Sequence, residues 1–197
     1  MRLVLASASP SRRMILNSAG VQPLLRPTQV DEEAIAASLG NAPAGEVVAA
    51  LAQAKADAVA AEYPDDVVIG GDSMLLLGDK LQGKPLTVEN TIQRWREQAG
   101  ATAELLTGHC IIYGEQRVLE TTRTTVTFAE ASETDIIAYA RSGEPLHCAG
   151  AFTLEALGGW FIDRIEGDPS SVIGLSLPLL RRALYSFGLD VSQFWES

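Results

Sequence analysis

Apolar and polar positions alternate along this chain in blocks whose periods change from strand-like to helix-like and back. Leu3-Val4-Leu5 is a short continuous apolar run of the kind a fully buried strand needs, and an amphipathic segment follows from Met14. Residues 46–63 (EVVAALAQAKADAVAAEY) are Ala-rich with apolar residues at helical spacing, and Pro64-Asp65-Asp66 predicts their end. Val67-Val68-Ile69 reads as a second buried strand, ending at Gly70-Gly71-Asp72-Ser73. Thr87 to Gln98 predicts a helix with Gly100 beyond its end. Leu105 to Tyr113 and Arg117 to Phe128 predict a hairpin turning at 114–116, and Ser132 opens a helix to about Ala140 through a capping box. From Ser142 the pattern is irregular until a strand at Trp160 to Ile165. A last helix lies within 169–188, with Leu177, Leu180, Leu184 and Phe187 on one face.

Strands that alternate with helices but include a hairpin predict an α/β fold with a mixed sheet rather than a purely parallel one. With 197 residues, no internal repeat and no low-complexity linker, residues 1–197 are expected to form a single domain, bilobed at most. No apolar run is long enough to cross a bilayer, and the N-terminus lacks the long apolar region of a secretory signal. A cytoplasmic protein without a membrane partner is the expectation. The formal charge of -10 argues against a nucleic-acid partner, because affinity for a phosphate backbone accumulates from many Lys and Arg contacts. Cys110 and Cys148 lie far apart, each after a histidine, and are expected to be reduced thiols. Neighbours on a strand point to opposite faces, which opposes a Cys/His metal site.

The chemistry starts at the first strand. It delivers Ser7, Ser9 and Ser11 to a turn at Pro10, where a new helix offers unsatisfied N–H groups, and Arg12 and Arg13 add fork-shaped donors suited to phosphate oxygens. The same residues also read as a plain cap, with Ser9 at the N-cap and Pro10 at the first position. Lys55 interrupts the apolar face between Leu51 and Val59. It either snorkels to the rim of that face or reaches a carboxylate or phosphate. Because an uncompensated ammonium is costly to bury, Lys55→Met is expected to leave stability level or raise it. Asp72, past a buried strand and two glycines that let a ligand or metal approach the backbone, is the natural counterpart. Lys84, between Gly83 and Pro85, is a third cation. No Walker loop, dinucleotide fingerprint, H-E-x-x-H or G-x-S-x-G occurs, so acid, lysine and a metal must carry any chemistry.

LASASPSRR, ALAQAKADAV, VVIGGDS, LQGKP, TGH, SGEPLHCAGAF and IEGDPSSVIGLSLP stand in this order along essentially the full length. In this the chain resembles the Maf (septum-formation-inhibitor) family of nucleoside triphosphate pyrophosphatases. The resemblance implies a mixed α/β fold like that of inosine-triphosphate pyrophosphatases, with flanking helices and two lobes around a nucleotide cleft, often as a homodimer. It implies cleavage of a nucleoside triphosphate to the monophosphate and pyrophosphate, dependent on a divalent metal cation (Mg²⁺ or Mn²⁺). Such an enzyme would clear non-standard or surplus nucleotides; the family's older name suggests instead a nucleotide-binding regulator of septum formation that acts without turnover. Asp72 matches the family's proposed proton acceptor, and Lys55, Lys84 and Arg12 match its phosphate-side cations. Asp72 is also a candidate metal ligand, with Asp31 where the family usually has Glu, and Glu32 as its substitute. Ser11, Ser73 and Glu155 stand where members acting on dTTP and UTP commonly have Arg, Thr and Gln. An ionised Glu155 accepts hydrogen bonds only, which favours a donor-rich guanine-type edge over thymine and uracil, unless it simply faces solvent.

Overall fold

A computed structural model describes residues 1–195. Leu3–Leu5 forms strand β1, buried throughout and flanked by two parallel strands, β2 (Leu24–Leu25) and β3 (Val67–Leu77). Leu3, Val4 and Leu5 stand in register with Val67, Val68 and Ile69, so two apolar runs far apart in sequence become neighbours. β5 (Thr102–Tyr113) and β6 (Gln116–Phe128) are joined at Gly114, whose φ of 56° suits glycine. With β4 (Lys80–Gln82) and β7 (Ile162–Glu166) they complete one mixed seven-stranded sheet in the order β2-β1-β3-β5-β6-β7, with β4 antiparallel to the far end of β3.

The helices are α1 (Pro10–Ser18), α2 (Glu32–Ser38), α3 (Ala44–Ala60), α4 (Val88–Gln98), α5 (Glu133–Arg141), α6 (Pro169–Ile173) and α7 (Leu177–Ser186). Six of them start at a side-chain cap, from Ser9, Asp31, Thr87, Ser132, Asp168 and Ser176, as short polar residues at a helix start allow. Among the described residues no helix is long and apolar enough to cross a membrane.

The chain divides into two compact units. The first comprises residues 1–72, 107–122 and the C-terminal stretch from 174. Its core includes Val4, Ala52, Ala56, Val68, Cys110 and Ile112, with α3 laid directly on the sheet. A Cβ at Gly70 of β3 would overlap the carbonyl oxygen of Ala52, and one at Gly108 of β5 that of Val48, so these glycines let a helix backbone approach the strands. The second unit comprises residues 73–106 and 123–173. Trp95, fully buried, sits at its centre with Phe128, Tyr139 and Phe161 edge-on around it at 5.5–5.6 Å, and donates from its indole to the carbonyl of Ala151 at 2.7 Å.

The expected mixed sheet with flanking helices is present, but several boundaries move. The strand predicted to stop at Ile69 runs on through both glycines to Leu77, because Gly70 packs against α3 instead of turning the chain. The strand predicted from Trp160 begins at Ile162, and Trp160 and Phe161 close a short 3₁₀ turn. The predicted last helix is two, α6 and α7, with Gly174 at φ 128° between them; the buried face of α7 is Leu179, Leu180, Ala183 and Leu184, while Leu177 and Phe187 are half-buried. Two-residue β2, three-residue β4 and α2, which buries no residue, lacked a period to reveal them.

Candidate active site

The first unit gathers five of the predicted residues, Asp72, Lys55, Glu32, Arg12 and Ser7, from β3, α3, α2, α1 and the turn before α1. Asp72 lies on β3, just beyond the stretch that pairs with β1, and is 8% exposed. Lys55 reaches it from α3, and its Nζ stands 2.7 Å from Asp72 Oδ1 and 2.7 Å from Glu32 Oε1 in the first turn of α2. The ammonium therefore bridges two carboxylates rather than snorkelling. Asp72 Oδ2 is buried and accepts no hydrogen bond among the described residues.

Arg12 comes from the first turn of α1 with its guanidinium buried. Its Nε donates to the carbonyl of Gly174 at 2.7 Å and its Nη1 to Ser7 Oγ at 3.1 Å. Burial pulls the guanidinium below its ordinary pKa, and the charges of Asp72 and Glu32 oppose that pull. Gly71 gives the guanidinium its room, since a Cβ there would stand 3.1 Å from Arg12 Nε. The glycine pair expected to admit a ligand thus admits a helix at Gly70 and an arginine at Gly71. Two cations and two carboxylates make a locally neutral cluster with one buried carboxylate oxygen, Asp72 Oδ2, left to bind a proton, a water or a cation.

The serines divide their work. Ser7 Oγ accepts from Arg12 and from the Ser9 amide at 3.2 Å, whereas Ser9 Oγ caps α1 by accepting from the Arg12 amide at 3.4 Å. Beside them opens a cavity of about 380 Å³, lined among others by Ser7, Ser9, Arg13, Asn17 and Pro27. Arg13 is exposed and Ser11 half-buried on the same helix. Asp31 Oδ1 accepts from the Ala34 amide at 2.9 Å and so caps α2, while Glu32 turns to Lys55. His109 serves the frame: its Nε2 accepts from the Ser176 amide at 2.9 Å, at the cap of α7.

The second unit carries the others. Ser73 follows Asp72 on β3 and is half-buried; Lys84 is exposed in the loop after β4. Glu155 is exposed, but its Oε2 accepts from Thr153 Oγ1 and, at 3.1 Å, from the Leu154 amide, so its carboxylate is fixed and does not wave in solvent. Burial pushes the Cys148 thiol up to about 11, with the charges of Glu155 and Glu144 adding to the rise and Lys84 opposing it. All three charges surround that thiol. Burial likewise raises Cys110 to about 11, and both cysteines are free.

Sequence reasoning did not find Gly174, Glu144, Tyr139 or Thr153. Gly174 acts on a residue 162 positions away, which no local period encodes. Glu144 was legible only as part of a turn.

Comparison with known proteins shows what the chain is similar to. Residues 2–187 match the family described as Maf-like protein. A nucleoside triphosphate pyrophosphatase of Corynebacterium aurimucosum is 70% identical over 195 residues, covering 99% of this chain and 98% of the relative. One of Corynebacterium diphtheriae is 67% identical over the full length of both, and one of Nocardia farcinica is 56% identical over 98% of this chain and 96% of its own. Matched over nearly its whole length by the family model and by relatives up to 70% identical, this chain belongs to the Maf-like protein family.

Proposed function

We propose that this chain hydrolyses nucleoside triphosphates to the nucleoside monophosphate and pyrophosphate, as a single catalytic domain over residues 1–197 and in the cytoplasm, where its two free thiols stay reduced. The observation that carries the reading is Lys55 held between Asp72 and Glu32, with Asp72 Oδ2 buried and without a hydrogen-bond partner among the described residues. In the reaction a water oxygen bonds to the α-phosphorus while the bond from that phosphorus to the α–β bridging oxygen breaks. The water's proton passes to Asp72 Oδ2, and the electron pair leaves with pyrophosphate. Lys55 keeps Asp72 oriented through Oδ1, so the free oxygen is the one that takes the proton. Arg12, Arg13, Ser7, Ser9 and Lys84 bind phosphate oxygens and neutralise the charge that grows on the leaving group.

The residues fit a divalent cation, Mg²⁺ or Mn²⁺. No group of three or more His, Cys, Asp or Glu gathers among the described residues, and Mg²⁺ is commonly held by one or two carboxylates with the substrate's own phosphates. Glu32 would hold it, and Asp72 Oδ2 would do so where it serves as a ligand instead of as the proton acceptor; Asp31, whose Oδ1 caps α2, would at most support it. When bound, such a cation neutralises phosphate charge and lowers the pKa of water. A regulator that binds without turnover would have no use for the unpaired oxygen of Asp72.

At the base, Glu155 is proposed to accept through Oε1, the oxygen not occupied within its loop, from the N1–H or N2–H₂ of a guanine-type edge, with Ser11 and Ser73 leaving room where members acting on dTTP and UTP commonly have Arg and Thr. The test is product analysis over a panel of triphosphates with Mg²⁺. Expected are monophosphate and pyrophosphate in equal amounts, a higher kcat/KM for GTP than UTP that Glu155→Gln narrows, and turnover at least about a hundredfold lower in Asp72→Asn. Release of orthophosphate with a diphosphate, or retained turnover in Asp72→Asn, would overturn the reading.

A further inference from the structure

The loop that carries Glu155 is held by side chains to a degree unusual for an exposed segment. Four of the six amides from Thr153 to Gly158 meet one. The Leu154 amide donates to Glu155 Oε2 at 3.1 Å, and the Glu155 amide donates to Thr153 Oγ1 at 3.3 Å. The Leu157 amide donates to Glu144 Oε2 at 3.0 Å and the Gly158 amide to Glu144 Oε1 at 2.9 Å. Tyr139 donates its hydroxyl to Glu144 Oε1 at 3.2 Å. One carboxylate therefore accepts three hydrogen bonds, two of them from consecutive amides, in the manner of an anion in a backbone nest.

Beneath the loop there is no slack. Tyr139 is buried and stands edge-on to Trp95, and burial raises the pKa of its phenol, which remains a neutral donor at every working pH. A Cβ at Gly158 would overlap the Thr153 carbonyl oxygen, so the turn closes on itself tightly. Glu144 is aimed upward by Gly143 at φ 82° and by its own amide, which donates to Ser142 Oγ at 3.2 Å. A loop needed only to connect Phe152 to β7 would not require four amides fixed by three side chains. The fixed product is the Glu155 carboxylate, whose Oε2 is occupied within the loop.

We infer that Glu144, with Tyr139, is the positioning residue for base recognition. Its carboxylate organises the 153–158 turn so that Glu155 presents a pre-oriented acceptor to the nucleobase. The inference rests on the pyrophosphatase reading and deepens it. Neither residue touches the substrate, so the loss should appear in KM for nucleotides, and more for GTP than for UTP.

The experiment compares GTP, UTP and the baseless ribose 5-triphosphate in wild type, Glu144→Gln, Glu144→Asp, Tyr139→Phe and Glu155→Gln. Expected in Glu144→Gln is a fall of at least about tenfold in the ratio of kcat/KM for GTP to that for ribose 5-triphosphate, with KM carrying the change. Its amide –NH₂ cannot accept from a backbone N–H, and hydrogen exchange at Leu157 and Gly158 should quicken. Glu144→Asp should recover part of the ratio, and Tyr139→Phe, which keeps the ring, should lose a smaller part; if Glu144→Gln does not fold, Tyr139→Phe decides. Faster exchange at the two amides with an unchanged ratio would overturn the inference. A wild type that treats GTP and ribose 5-triphosphate alike would overturn it too while leaving pyrophosphate release intact. If Glu155→Gln changes the ratio and the Glu144 and Tyr139 variants do not, Glu155 reads the base without help and the positioning role falls alone. Should no triphosphate be cleaved, the pyrophosphatase reading fails, and the same ratio taken from dissociation constants by calorimetry still decides this one.

Discussion

Lys55 meets two carboxylates at 2.7 Å each, and this changes what its removal does. Taken from sequence, an ammonium on an apolar face looks like a burial cost, and Lys55→Met looks neutral or stabilising. With Asp72 and Glu32 in place the sign reverses, because the substitution leaves a buried carboxylate facing only Arg12 for compensation. Breaking one partner of a buried pair costs about 3–5 kcal/mol. Glu32 is half-exposed and Arg12 remains, so about 2–3 kcal/mol is expected at neutral pH from urea unfolding, together with loss of turnover. A Lys55→Met variant as stable as wild type, or more so, would contradict the bridging geometry. The residue types of this cluster were legible one by one, since a Lys on an apolar stripe and an Asp beyond a strand each break a local pattern. Their pairing across 17 positions, and the tie from Arg12 to Gly174, are set by tertiary packing that no period records.

Among elements, the helix with the plainest sequence signal also contributes the least expected packing. Its Ala-rich stretch predicted α3 to within three residues at either end, yet nothing in the pattern said that glycines on two strands would receive it. Glycine is a common breaker, so the sequence alone makes Gly70 a strand end; in the fold it is strand interior with a helix backbone against it. Gly108→Ala should therefore lower stability by at least about 2–3 kcal/mol, since the clash is with backbone that cannot rotate away. Gly78→Ala, at a turn with open space around it, bears only the strain of its φ of 56° and should cost less in the same unfolding experiment. The union of β1 with β3 has its own clamp. Asp66 accepts from the Arg2 amide at 2.7 Å and from its guanidinium at 2.6 Å, and this bonding holds the Asp66 carboxyl below its ordinary value of 3.8. A carboxyl depressed in the folded state contributes stability above its unfolded pKa and loses it as pH falls through the folded one. Asp66→Asn should melt a few degrees lower than wild type at neutral pH, and the gap should close on acidification below the ordinary carboxylate range. A gap that holds constant to low pH would show that the charge contributes nothing.

For the whole molecule, 15 basic against 25 acidic residues leave a charge of -10, while the cluster of Arg12, Lys55, Glu32 and Asp72 sums to zero. Added salt of any kind should therefore raise the melting temperature by screening self-repulsion, and Mg²⁺ will do so without any specific site. Specific binding has to be separated from that background. The Lys55 ammonium already touches one oxygen of Asp72 and one of Glu32, so a cation arriving alone finds one unpartnered buried carboxylate oxygen in the cluster. A triphosphate brings the oxygens that complete its coordination. The expected result is that millimolar Mg²⁺ alone raises the melting temperature no more than KCl of equal ionic strength. Mg²⁺ with a triphosphate analogue carrying methylene in place of the α–β bridging oxygen should raise it further, growing with analogue concentration as ligand linkage requires. Asp72→Asn should abolish the extra rise due to Mg²⁺ and keep the screening part. Stabilisation by Mg²⁺ alone beyond the matched KCl value would mean that Asp72 and Glu32 hold a resident cation before substrate arrives, with Lys55 displaced from between them.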